Sequence, residues 1–207
     1  MFSIIIALII ISFSKNQNIT KPLYKDYKQL INILLKNGAK PITASAILSI
    51  IEYETNFNTL LIPESHLKKL NKMTPEEYVI KTENNEYKNF INDKIPFGLG
   101  QWDYPLTKQF LLNYCKRKKL SLKSIECQIG FLIYRYYGAK ENFWRDVLYE
   151  MNHPGFEKNI RGVVRTVYGI LFPNIEKNTN WTLIDILTNR TNEYCVASQK
   201  NCSVEIT

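Results

Sequence analysis

Glu54 closes a run in which an acid is set against apolar neighbours. The stretch reads Ser45-Ala46-Ile47-Leu48-Ser49-Ile50-Ile51-Glu52-Tyr53-Glu54-Thr55-Asn56-Phe57-Asn58. On a helix, positions 47, 50, 51 and 54 share a face, so Glu54 falls at the end of the stripe Ile47, Ile50, Ile51. Glu52 points elsewhere, because residues two apart do not face the same way. A carboxylate at the edge of an apolar surface is poorly solvated, and burial raises its pKa. Such an acid can keep its proton near neutral pH and give it to the leaving oxygen of a glycoside. Periodicity alone favours a plainer account, a helix-end Glu that caps or pairs with a Lys, since charged residues often edge apolar stripes.

A second cluster of useful residues is Pro96-Phe97-Gly98-Leu99-Gly100-Gln101-Trp102-Asp103. Glycines allow close backbone approach and unusual dihedrals. Gln101 offers a donor and an acceptor, and Trp102 an apolar platform, a pairing suited to sugar rings with polar edges and apolar faces. Without further support, a turn feeding a core Trp is the better account of the segment. Three carboxylates could assist an acid at Glu54. Asp103 ranks first because it follows the turn, and Glu64 and Asp93 lie in the loop region before it. His66 and His153 are isolated, so a Ser-His-Asp or Cys-His nucleophile has no local basis, and no Cys-x-x-Cys or Cys-His spacing suggests zinc. No metal or cofactor is expected.

These residues need helices to hold them. Leu23, Tyr27, Leu30, Ile31, Leu34 and Leu35 form one apolar face, with Gly38 as a stop. A second helix is predicted over Thr43 to Glu54. Thr74-Pro75-Glu76-Glu77 has the form of a capping box with Pro at the first helical position. Further helical patterns cover about Leu106 to Lys118, Ser124 to Tyr137, Asn142 to Met151, Glu157 to Phe172 and Thr182 to Asn189. Nothing alternates with period two, so β structure is limited to a short hairpin or irregular loop between Phe57 and Gln101. The expected architecture is a mostly α single domain.

The chain has 207 residues, 45% of them hydrophobic, and a formal charge of +8. That is enough for one domain with a real core. Residues Phe2 to Ile11 form an apolar block that suits a signal-peptide core and falls short of the ~20 residues needed to span a bilayer. The expected division is a signal peptide at 1–14, the folded domain at 15–190 and a disulfide-containing tail at 191–207. Cys115, Cys127, Cys195 and Cys202 suit an oxidising destination, and proximity favours Cys115 with Cys127 and Cys195 with Cys202. Sequons at Asn18, Asn180, Asn189 and Asn201 suit a secreted surface. The expected location is outside the cell, or in the lumen of a secretory or phagolysosomal compartment. The positive charge draws the protein toward polyanions, and secretion favours a bacterial wall or a membrane surface over nucleic acid. A membrane-permeabilising protein of saposin type is a poor fit, because the size and the cysteine spacing do not suit it.

The order of these segments resembles the phage tail lysozyme family of the lysozyme-like superfamily. Ala46 to Asn58 is similar to that family's helix ending in Glu-Ser-x-Phe-Asn, and Phe97 to Trp102 to its Gly-Leu-Ala-Gln-Trp turn. Ser124 to Leu132 is similar to its Leu-x-x-Gln-Leu-x-Phe-Leu helix, and Asn159 to Tyr168 to its closing helix. The resemblance spans about Leu23 to Phe172. It implies a lysozyme-like fold, with peptidoglycan as partner, no nucleic acid, no stable membrane insertion after leader removal, and a monomer. It also implies Glu54 as the catalytic acid; the resemblance does not identify the second carboxylate, for which Asp103 ranks ahead of Glu64 and Asp93 because the turn should face the cleft. Gln101, Trp102, Gly100 and Thr55 would contact substrate. The family's Ser is Thr55 here, its Gly before Phe is Asn56, its turn Ala is Gly100, and a usually acidic position is Arg135. The implied reaction is hydrolysis of the β-1,4 bond between N-acetylmuramic acid and N-acetylglucosamine. Lytic transglycosylation and wall binding without catalysis are the alternatives.

Overall fold

The computed structural model describes residues 23–134, 151–152, 159–172 and 181–203. The leader, Asn18, Asn180, Arg135, Tyr136, Tyr137, His153 and most of the helix expected over Asn142 to Met151 lie outside the described residues. The described chain is mostly helical: α1 (Tyr27–Lys36), α2 (Pro41–Thr55), α3 (Glu64–Leu67), α4 (Pro75–Glu83), α5 (Pro105–Lys118), α6 (Ile125–Leu132), α7 (Ile160–Leu171) and α8 (Trp181–Ser198). A 3-10 turn, Lys68–Leu70, follows α3.

Helix α2 is the axis of the molecule. Every side chain from Ile42 to Ile51 is buried, as expected of a helix that is apolar or small on all sides. Two of its hydroxyls find partners on other segments, Ser49 Oγ 2.9 Å from Thr191 Oγ1 and Thr43 Oγ1 donating to the Met151 carbonyl at 3.2 Å, while Ser45 Oγ is buried without one among the described residues. The helix packs mainly on α8 and α7, then on α1. It starts at Pro41, in the first-turn position where a missing N–H costs nothing. It ends at Asn56, which sits in the left-handed region at φ 49°, a conformation Asn tolerates better than most side chains. Phe57 follows at φ 57° and turns the chain sharply away from the helix end.

Two apolar clusters result. One gathers α1, α2, α7 and α8. The other joins Ile62, Leu70, Tyr78, Val79, Phe90, Ile95 and Phe97 to Leu111, Leu112 and Tyr114 of α5 and Phe131 of α6. The polar centre of this second cluster is fully engaged. Lys108 Nζ is 2.6 Å from Asp93 Oδ1 and donates to Tyr78 and to the Ile95 carbonyl, while Tyr78 and Tyr87 donate to Asp93 Oδ2.

Several elements differ from the sequence reading. The region between Phe57 and Gln101 holds α4, the helix expected from the Thr74 capping box, and in addition α3 and the 3-10 turn, which were not expected. Its β content is one isolated bridge, Phe97 with Trp102, and no strand occurs among the described residues. The Thr74 capping box is present in both directions. The helix expected to stop near Asn189 continues to Ser198, because Arg190, Thr191, Tyr194 and Cys195 all turn into the core. Both expected disulfides form, Cys115–Cys127 with Cα atoms 5.6 Å apart and Cys195–Cys202 at 6.0 Å.

Candidate active site

The two glutamates near the end of α2 have different partners. Glu52 faces α8, where Arg190 holds both its oxygens at 2.6 and 2.7 Å and Tyr194 donates at 3.0 Å. Glu54 faces α7 and is half-buried. The Tyr168 hydroxyl donates to its Oε1 at 2.6 Å. Burial pushes the Glu54 carboxyl above its ordinary range, and the Tyr168 hydrogen bond partly offsets this by favouring the carboxylate. The same burial, with Glu54 alongside, pushes the Tyr168 hydroxyl far up, so Tyr168 acts as a donor and does not ionise. Tyr53, between the two acids, is exposed.

The glycine turn docks on the segment that leaves α2. Gly98 N donates to the Leu61 carbonyl at 2.9 Å, and Gln101 Nε2 donates to Leu61 and Gly98 carbonyls at 3.3 and 2.7 Å. Gln101 thus spends its amide nitrogen on the turn, and its carbonyl oxygen has no partner among the described residues. Gly98 sits at φ +71°, and a Cβ there would lie 2.4 Å from Gln128 Oε1. A Cβ on Gly100 would lie 2.4 Å from the Trp102 indole. Both glycines are required by contact, and the second lets the Trp102 ring fold back over the turn. Trp102 packs edge-on to Phe131 at 5.4 Å and touches both apolar clusters, so the turn marks the line where they meet.

Gln128 of α6 locks this arrangement. Its Oε1 accepts from Leu99 N at 2.8 Å, and its Nε2 donates to the Thr59 and Leu122 carbonyls at 2.8 and 2.5 Å. One buried amide therefore ties the chain leaving α2, the glycine turn and the entry to α6.

The remaining expected site residues fall as follows. Thr55 is buried and its hydroxyl donates to Ile51 O at 2.7 Å. Asp103 is exposed after the turn and lies on the α5 side, where its charge favours that of Lys108. Asp93 is consumed by Lys108, Tyr78, Tyr87 and the Ile95 N–H. Glu64 is exposed at the start of α3. Sequence reasoning missed Tyr168 and Gln128 as site-forming residues. The signal for Tyr168 was a tyrosine in the apolar stripe of α7, since a buried phenol needs a partner. Among the described residues no group of three His, Cys, Asp or Glu side chains could hold a metal.

This chain belongs to the phage tail lysozyme family, whose model matches residues 25–159. Membership carries a lysozyme-like, peptidoglycan-lytic function. Neither a curated protein nor a solved structure matches the chain. The family match ends before α7, short of the Phe172 limit expected from the motifs. Tyr168, the partner of Glu54, is therefore supplied from outside the matched segment.

Proposed function

We propose that this chain is a secreted muramidase that cleaves the β-1,4 bond between N-acetylmuramic acid and N-acetylglucosamine, with Glu54 as general acid. The observation that carries the reading is the setting of Glu54, half-buried at the end of an apolar helix with one oxygen held by Tyr168. Tyr168 occupies Oε1, leaving Oε2 to present the proton. Protonation of the glycosidic oxygen lets the C–O bond break toward an oxocarbenium-like state. Asp103 then stabilises that state, attacks it or directs water, and water supplies the hydroxyl of the new reducing end. The Gln101 carbonyl oxygen suits an acetamido N–H, and the Trp102 ring suits an apolar sugar face. Thr55, with its hydroxyl spent inside the helix, acts by shape. Gly100 acts by letting Trp102 approach.

A second reading is lytic transglycosylation. It draws support from Glu54 being set apart from other carboxylates, since Glu52 and Asp93 are committed to cations. In that route the muramoyl 6-hydroxyl attacks the anomeric carbon and its proton returns to Glu54. Mass spectrometry of products from purified peptidoglycan separates the two. Reducing muropeptides, with their rate cut strongly in Asp103→Asn, support the muramidase. Anhydro-muropeptides with Asp103→Asn fully active overturn it in favour of the transglycosylase.

Secretion is part of the same proposal. Two disulfides between buried or half-buried cysteines are typical of oxidising compartments. No helix among the described residues is long and apolar enough to cross a membrane.

A further inference from the structure

The end of α5 carries a density of positive charge that the site does not use. Lys116, Arg117 and Lys118 form its last turn, Lys119 caps it, and Lys123 follows in the link to α6. All five are exposed. No acidic residue occurs between Asp103 and Glu126. Two carboxylates that border this stretch are engaged elsewhere: Glu83 accepts from Leu122 N at 2.5 Å, and Glu126 accepts from Gln29 and Ser124. No ion pair among the described residues reaches any of the five.

A helix C-terminus favours cations, which accounts for charge in the last turn. It does not account for Lys119 or Lys123 beyond it. Lys119 also adopts φ +55°, a cap position that favours Gly or Asn. Successive positions on a helix step by about 100°, so residues 116 to 118 fan around the helix end as a collar. Arg117 is fixed against Tyr134, its guanidinium 4.6 Å from the ring and bonded to the hydroxyl. Cys115–Cys127 staples the base of the collar to α6.

We propose that this collar is a binding site for the polyol-phosphate polymers of bacterial walls. The choice of polymer rests on the peptidoglycan-lytic reading; the collar itself does not. A fan of exposed cations suits a flexible chain of many phosphodiesters crossing it at several points. Insertion into a membrane would need apolar side chains, and Leu120 is the one large exposed hydrophobic residue on this stretch, at 38%.

The test uses the full chain and soluble, lipid-free poly(glycerol phosphate). Binding is measured across a salt series for wild type and for K116Q/R117Q/K118Q/K119Q/K123Q. A control changes Lys25, Lys36, Lys68, Lys69 and Lys72 to Gln, an equal loss of charge elsewhere. The collar variant is expected to lose at least about tenfold in affinity and much of its salt dependence, with the control close to wild type. The pair K118Q/K119Q, which leaves the Lys116–Asn85 and Arg117–Tyr134 bonds in place, is expected to fall between. Equal losses in collar variant and control would overturn the proposal in favour of net charge alone. Collar-dependent binding to phosphatidylglycerol vesicles without binding to the polymer would overturn it in favour of a membrane site. On peptidoglycan stripped of phosphate polymer the collar variant should keep the wild-type rate, and loss of rate there would contradict the proposal. Absence of wild-type activity on stripped peptidoglycan would count against the muramidase and leave the binding result standing.

Discussion

Glu52 and Glu54 are chemically identical and two residues apart, yet their surroundings give them opposite tasks. Glu52 meets a guanidinium from α8 in an ion pair; Glu54 meets a phenol from α7, and burial raises its pKa. The phenol hydrogen bond favours the ionised form, so Tyr168→Phe should raise the Glu54 pKa further. The alkaline limb of kcat/KM, set by loss of the acid's proton, is then expected to move to higher pH in the variant. Turnover at the optimum should fall by roughly tenfold as the carboxyl loses its anchor. Stability carries a second signature. The folded-state pKa of Glu54 is raised, so its contribution to stability is fully present below the unfolded pKa and is lost as pH rises through the folded pKa. Glu54→Gln should therefore melt higher than wild type at neutral pH, with the gap closing as the pH drops below the ordinary carboxylate range. Thermal unfolding across pH checks this. The helical phase placing Glu54 and Glu52 on different faces was legible in the sequence. Their partners were not, because Tyr168 and Arg190 lie more than a hundred residues away and packing alone decides which residue meets which.

Among the elements, α2 and α6 do the positioning. The N-terminal limit of α4 was readable from Pro75 and the Thr74 capping box, which act within one turn, whereas α2, expected from Thr43, starts two residues earlier at Pro41. The C-terminal limit of α8 was missed because its inward residues include Arg190 and Thr191, which look like surface until Glu52 and Ser49 are seen facing them. The glycine turn was recognised by composition, but its lock was not. Gln128 makes three buried hydrogen bonds to three separate segments, and nothing local to α6 announces them. Gln128→Ala should cost on the order of 3 kcal/mol in urea unfolding, from backbone groups left without partners. It should also lower turnover through displacement of Gln101 and Trp102.

At the scale of the molecule, two apolar clusters meet at Trp102, and Glu54 takes its hydrogen-bond partner from α7, outside the family-matched part of the chain. The second cluster is built around a buried charge, and this was invisible in the sequence because Lys108 and Asp93 are individually ordinary surface residues. Lys108→Met leaves Asp93 uncompensated and is expected to destabilise by about 3–5 kcal/mol. Adding Asp93→Asn to it should recover part of that loss, a comparison made by chemical unfolding of the single and double variants. The disulfides were readable because both join cysteines close in sequence, separated by 12 and 7 positions. The central claim remains the proton on Glu54. Its most direct test is the initial rate of soluble muropeptide release from purified peptidoglycan by wild type and Glu54→Gln, each with native thermal unfolding. The account predicts a fall of at least about a hundredfold in the variant. A folded Glu54→Gln protein that keeps the wild-type rate within a few-fold would contradict it.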